Sequence, residues 1–256
     1  MKIAVLCKQV PDSETRIKIA PDGSGIVETD VKWIVNPYDE YAIEAALQIK
    51  EKLTGEVLVV SAGPARVVDA MRTALAMGAD RGIRIDTAGM TMDAFTTAVV
   101  LGRALEQEAC DLILGGKQAI DDDGGQVLHG VAERLGLPCV GVIEKLTMED
   151  AKTCTVQRPV AGGLKEVIRV TLPAVLGCDK GLNTPRYPSL PGIMKAKAKP
   201  IAEPKAAELL GGEAAKVECL RYHLPPDRAA GKKVTGEPAD VVEQLIAWLR
   251  TEAKVL

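Results

Sequence analysis

Short apolar segments of strand length alternate with amphipathic segments of helix length from the first residue to Ile143, and this alternation limits the fold more than any other feature. "IAVLCKQV" reads as a buried strand. "NPYDEYAIEAALQIKEKL" reads as a helix with Ala42, Ala45, Ala46, Ile49 and Leu53 on one face. Asn36 stands where an N-cap would, and Pro37 suits the first helical position. The strand "EVLVVS" leads to the helix "ARVVDAMRTALAMG", which Gly78 ends. "GIRI" is a strand, "MDAFTTAVVLGRALEQE" a helix, "CDLILGG" a strand, "GQVLHGVAERLG" a helix and "PCVGVI" a strand. Apolar strands separated by helices predict an α/β fold with a doubly wound, mostly parallel sheet covered on both faces.

From about residue 150 the pattern changes. "KTCTVQRP" and "LKEVIRVTLPAVLGC", joined through "VAGG", predict an antiparallel hairpin that returns to the sheet. "NTPRYPSLPGIMKAKAKPIAEP" is proline-rich and without period, too long for a simple connector, and such segments are often functional. "PADVVEQLIAWLRTEAKVL" closes the chain as an amphipathic helix with Val241, Leu245 and Trp248 in register. The expected organisation is a nucleotide-binding α/β domain over residues 1–182. An extended arm and helix over 183–256 would dock on a partner or fold back on their own domain.

Composition excludes several function classes. Aromatics are 3% of residues and the net charge is −3, so neither a base-stacking platform nor a basic field for nucleic acid is expected. No apolar run is long enough to insert in a membrane as a helix. The N-terminus starts as a strand without a signal-peptide pattern, which predicts a cytoplasmic protein. The six cysteines form no CxxC pair and there are two histidines, so no metal site is expected and the cysteines read as small buried hydrophobes.

In parallel sheets, ligands bind beyond the carboxyl ends of the strands. Three loops belong there: "CKQVPDSE", "SAGP" and "GGKQAIDDDGGQ". The glycines of the last let backbone approach a ligand closely, and the amides opening the next helix suit a phosphate. Its centre, Asp121, Asp122 and Asp123, would repel one. The three carboxylates read as magnesium ligands, as acceptors of ribose hydroxyls, as caps of the next helix, or as a solvated acidic turn. No second carboxylate cluster supports the magnesium reading. His129 lies inside a helix and His223 in the tail, and no nucleophile, base and orienting group come together. A nucleotide-like ligand is expected, and no catalytic residue.

Six blocks in order add a family resemblance: "KQVPD", "NPYDEYAIEAAL", "ALAMGADRG", "GKQAIDDDGGQ", "VQRPVAGGLKEVIRVTLPAVL" and "LNTPRYPSLPGIMKAKAKP". Through them the chain resembles the beta (small) subunit of electron transfer flavoprotein along nearly its whole length. The resemblance implies a Rossmann-like, adenine nucleotide alpha-hydrolase-like sheet and a heterodimer with an alpha subunit. That subunit carries most of a redox FAD site, which the beta subunit helps to enclose. The flavin takes electrons from acyl-CoA dehydrogenases or other flavoprotein dehydrogenases and passes them to a quinone oxidoreductase or another acceptor.

The resemblance also implies a nucleotide in the beta subunit itself: AMP as a structural ligand, or a second FAD in the electron-bifurcating branch that oxidises NADH. The implied site comprises Leu6 and Cys7; Asn36, Pro37, Tyr38 and Asp39; Ala62; Gly116, Lys117, Gln118, Ala119 and Ile120; Asp121, Asp122 and Asp123; and Gly124, Gly125, Gln126 and Val127. Here "IDDDGGQ" stands where bifurcating members carry a glycine between two aspartates, so Asp122 favours AMP, while "DAFTTA" has a distant similarity to a motif of the bifurcating branch. Arg158 is placed near the alpha-subunit flavin, but Pro159 and Ala161 stand where carboxylates are common. Tyr187, Leu190, Pro191, Ile193, Met194 and Lys195 match the loop that recognises dehydrogenases, with Leu190 as the apolar anchor and Lys197 and Lys199 following. An alternative of another class is a nucleotide-binding sensor without a redox role.

Overall fold

The computed structural model describes residues 1–227 and 230–256. Strands β1 (Lys2–Leu6), β2 (Gln9–Pro11) and β3 (Trp33–Val35) precede helix α1 (Pro37–Leu53). β4 (Glu56–Gly63), α2 (Val67–Met77), β5 (Arg81–Asp86), α3 (Ala94–Glu106), β6 (Leu112–Gly116), α4 (Val127–Leu135) and β7 (Cys139–Ile143) complete the alternating part. β8 (Lys145–Met148), β9 (Thr153–Pro159), β10 (Lys165–Thr171) and β11 (Ala174–Cys178) follow. Last come α5 (Leu190–Ala196), β12 (Ile201–Ala202), α6 (Ala206–Leu210) and α7 (Pro238–Thr251). Among the described residues no helix is long and apolar enough to cross a membrane.

Seven strands form the main sheet in the order β12-β5-β4-β1-β6-β11-β7, with every pairing parallel. Ile43 and Leu47 of α1 and Met71 and Leu75 of α2 pack with Ile3, Val5, Val57 and Val59. Val99 and Val100 of α3 and Leu128 and Val131 of α4 pack with Ala4, Leu58, Val60 and Ile113. These sets lie on opposite faces because alternate strand residues point to opposite sides, so the sheet is doubly wound as expected. Full burial of each Leu or Ile contributes about 1.5–3 kcal/mol. The chain runs from β1 outward to β4 and β5, then crosses back to place β6 on the other side of β1. Loops leaving β1 and β6 therefore diverge, and a crevice opens between them.

β9 and β10 form the expected hairpin, with Arg158 opposite Glu166. β8 adds a third antiparallel strand. The segment "LKEVIRVTLPAVLGC" supplies both the second hairpin strand, β10, and the return to the main sheet, β11, separated at Pro173. Proline has no amide to continue the β10 ladder.

Residues 183–204, the stretch without period, pack on the α/β layers. Asn183 Nδ2 donates to the Tyr41 carbonyl at 2.9 Å, and the Arg186 guanidinium reaches buried Glu44 at 2.8 Å and Glu51 at 2.5 Å. The stretch contains a short helix, α5, laid on α2, and the edge strand β12. Gly192 permits the approach of α5, since a Cβ there would lie 2.4 Å from the Ala76 carbonyl oxygen. Ser189 caps α5 by accepting from the Gly192 amide at 3.2 Å. By contrast, no residue of α7 is buried, and Val242, Leu245 and Ile246 face outward.

Candidate functional site

A cavity of about 410 Å³ opens at the carboxyl ends of β1, β4 and β6, where the strand order reverses. Leu6, Cys7, Asn36, Asp39, Ala62, Gly116, Lys117, Gln118, Ala119, Asp122, Gly124, Gly125 and Val127 line it. Pro37, Tyr38, Ile120, Asp121, Asp123 and Gln126 lie around it without forming its wall. Lys8, Thr87, Met90, Met92 and Asp93 also line it and are absent from the sequence-derived set. The last four follow β5, a strand whose carboxyl end faces the same way, so the rule that selected the other three loops applied to this one too.

Asp39 holds the crevice together. Its carboxylate accepts from the Lys8 amide at 2.7 Å and from the Gly116 amide at 2.8 Å, which ties the end of β1 to the end of β6. Burial pushes this carboxyl up to about 6, against the pull of those amides. Gly116 has to be glycine, since a Cβ there would come within 2.5 Å of Asp39 Oδ1.

Asn36 stands at the N-cap position of α1, but its side chain makes no capping bond. Its amide is engaged elsewhere: Nδ2 donates to the Gln118 carbonyl at 2.9 Å and Oδ1 accepts from the Ile120 amide at 3.2 Å. Asn36 is 1% exposed, so these bonds act away from water and fix the loop after β6. Lys117 is also tied down, 3.1 Å from the Asp179 carboxylate and 5.0 Å from the centre of the Tyr38 ring.

All three carboxylates of the acidic turn have partners. Lys8 Nζ lies 2.8 Å from Asp121 and 3.3 Å from Asp122. Asp122 Oδ1 also accepts from the Gly124 amide at 2.8 Å, and Asp123 Oδ1 accepts from Gln118 Nε2 at 3.0 Å. Burial pushes the Asp122 carboxyl up, but the Gly124 amide and Lys8 outweigh it and hold it below its ordinary value. Asp123 takes φ +52°, the left-handed conformation that short polar side chains tolerate. The aspartates do not cap α4: its N-cap residue is Gln126, and no side chain bonds there. Their oxygens bond to amides of the turn, to Gln118 and to Lys8 instead. The first turn of α4 meets the cavity at Val127 and Leu128, with the positive end of the helix dipole toward it. His129 sits behind, 3.1 Å from the Gly125 carbonyl oxygen through Nδ1.

The cavity thus combines a polar end of glycines and backbone amides with an apolar wall that includes Leu6, Val60, Met90, Met92 and Leu101. A family model described as "Electron transfer flavoprotein domain" matches residues 24–209. Proteins named electron transfer flavoprotein subunit beta are similar over the full length. That of Syntrophomonas wolfei is 44% identical, covering 100% of this chain and 98% of its own. That of Bacillus subtilis is 42% identical with 100% of both covered, and that of Homo sapiens 40% with 100% and 99%. The chain belongs to the electron transfer flavoprotein beta-subunit family.

In this electron transfer flavoprotein beta-type chain, two further groups of sequence-derived residues lie outside the cavity wall. Arg158 projects from the β9–β10 hairpin, where its guanidinium lies 2.6 Å from Glu166. Pro159 and Ala161 bring no carboxylate beside it, but the opposite strand does. Tyr187, Leu190, Pro191, Ile193, Met194 and Lys195 gather on and before α5, on the outer side of α2. Tyr187 is 96% exposed and Leu190 73%. A short helix, not an irregular loop, presents them. Of the lysines that follow, Lys199 turns inward to the Leu75 and Ala79 carbonyls at the end of α2. Cys7, Cys110, Cys154 and Cys178 are buried, as small hydrophobes would be, whereas Cys219 is exposed.

Proposed function

We propose that this chain is the nucleotide-holding subunit of a heterodimeric electron carrier. A larger alpha subunit carries most of a FAD site, and this chain covers one side of it near Arg158 and Glu166. When bound, that flavin supplies the electron chemistry, taking electrons from dehydrogenases such as acyl-CoA dehydrogenases and passing them to a quinone oxidoreductase or another acceptor. The chain's own residues position groups and shape their electrostatics. The surface of Tyr187, Leu190 and Met194 meets the dehydrogenase, with Leu190 as its apolar anchor.

The cavity at the strand reversal carries the nucleotide part of the reading. Its donor chemistry fits AMP: the opening of α4, with no side-chain cap, suits a phosphate, and the apolar wall suits a base. At about 410 Å³ it is near the lower end of the roughly 300–1,000 Å³ range for cofactor sites. Asp122 folds over the Gly124 amide and occupies a donor that a second phosphate would use. A mononucleotide therefore suits the site better than a second FAD.

Co-expression with the alpha subunit tests the carrier role. The expected result is a one-to-one complex that retains flavin through purification. A stable, flavin-free monomer that binds nucleotide and ignores the alpha subunit would replace this reading with a nucleotide sensor.

A further inference from the structure

We propose that Lys8 is a positioning residue that lets an acidic loop hold a phosphate. The proposal rests on the nucleotide reading of the cavity. The loop after β6 places Asp121, Asp122 and Asp123 beside the amides that suit a phosphate, and unpaired carboxylates there would oppose a second anion. The loop's own lysine does not relieve this, because Lys117 Nζ is held 3.1 Å from Asp179.

Lys8 comes from the other side of the crevice. Its backbone amide donates to Asp39 at 2.7 Å, which fixes its main chain at the end of β1. From there its side chain spans the crevice and brings Nζ to 2.8 Å from Asp121 and 3.3 Å from Asp122. One ammonium thus faces two carboxylates of the turn. Lys8 halves the formal charge of the Asp121–Asp122 pair and draws both carboxylates toward itself, which lowers the repulsion met by an anion at the backbone donors around Gly125 and the start of α4. Lys8 acts through the aspartates, and the amides hold the phosphate.

The role predicts a charge-specific rescue. Lys8→Met keeps most of the apolar stem and removes the ammonium. AMP binding to the intact heterodimer, measured by calorimetry after nucleotide removal, is expected to weaken on the order of tenfold or more, because two uncompensated carboxylates then face the phosphate. Asp121→Asn and Asp122→Asn, added to Lys8→Met, are expected to bring affinity back to within about threefold of the wild type. Asparagine keeps the oxygen that accepts from Gly124. Lys8→Arg is expected to bind like the wild type. An unchanged Lys8→Met affinity would overturn the proposal. So would a triple variant as weak as Lys8→Met, which would mean that Lys8 contacts the phosphate directly or shapes the fold. A wild-type heterodimer that takes up no AMP would instead overturn the nucleotide reading itself, and this proposal with it.

Discussion

Single side chains at the crevice do more than their local sequence implies. Asn36 occupies a cap position yet links α1 to residues 118–120 through both ends of its amide. Asn36→Ala removes two buried hydrogen bonds and leaves the Gln118 carbonyl and the Ile120 amide without their partner. The expected cost is about 1–3 kcal/mol of stability, read as a lower midpoint in chemical unfolding, together with faster nucleotide loss. An unchanged midpoint would show that water replaces the amide without penalty. This role was not legible in the sequence, because Asn36 and Gln118 are 82 residues apart and nothing in either segment marks the pairing. The glycines and the acidic turn were legible as a loop at the carboxyl end of β6, where the cavity opens. Where each aspartate turns was not, because that depends on Lys8, which lies 113 residues from Asp121.

Elements with a sustained period were legible, and short ones were not. α1 to α4 and the main-sheet strands through β7 follow from apolar spacing that tertiary packing reinforces. β2, β3 and β12 have three residues or fewer, too short for an alternation to register. α5 carried a start signal, Ser189 with Pro191 just inside, but the surrounding prolines masked it. α7 was legible as an amphipathic helix, and its open question was which surface covers its apolar side. None of its residues is buried on this chain, and we propose that the alpha subunit covers it. Deleting residues 237–256 is expected to leave the unfolding midpoint of the isolated chain within about 3 °C, the shift of roughly 1 kcal/mol for a domain of this size. The same deletion is expected to weaken heterodimer formation at least about tenfold, by sedimentation or calorimetry. A large fall in the midpoint with assembly intact would place α7 on its own domain.

At the scale of the whole molecule, topology sets where a ligand can go. The crossover from β5 to β6 opens the crevice, Asp39 stitches its base, and the loop after β6 forms its roof. The electron transfer flavoprotein beta-subunit family supplies the context in which that crevice acts. The central claim is that the crevice holds AMP while the redox flavin lies against the alpha subunit. Denaturing the intact heterodimer and identifying the released nucleotides by mass tests it most directly. The account predicts one AMP and one FAD per heterodimer; two FAD and no AMP would contradict it.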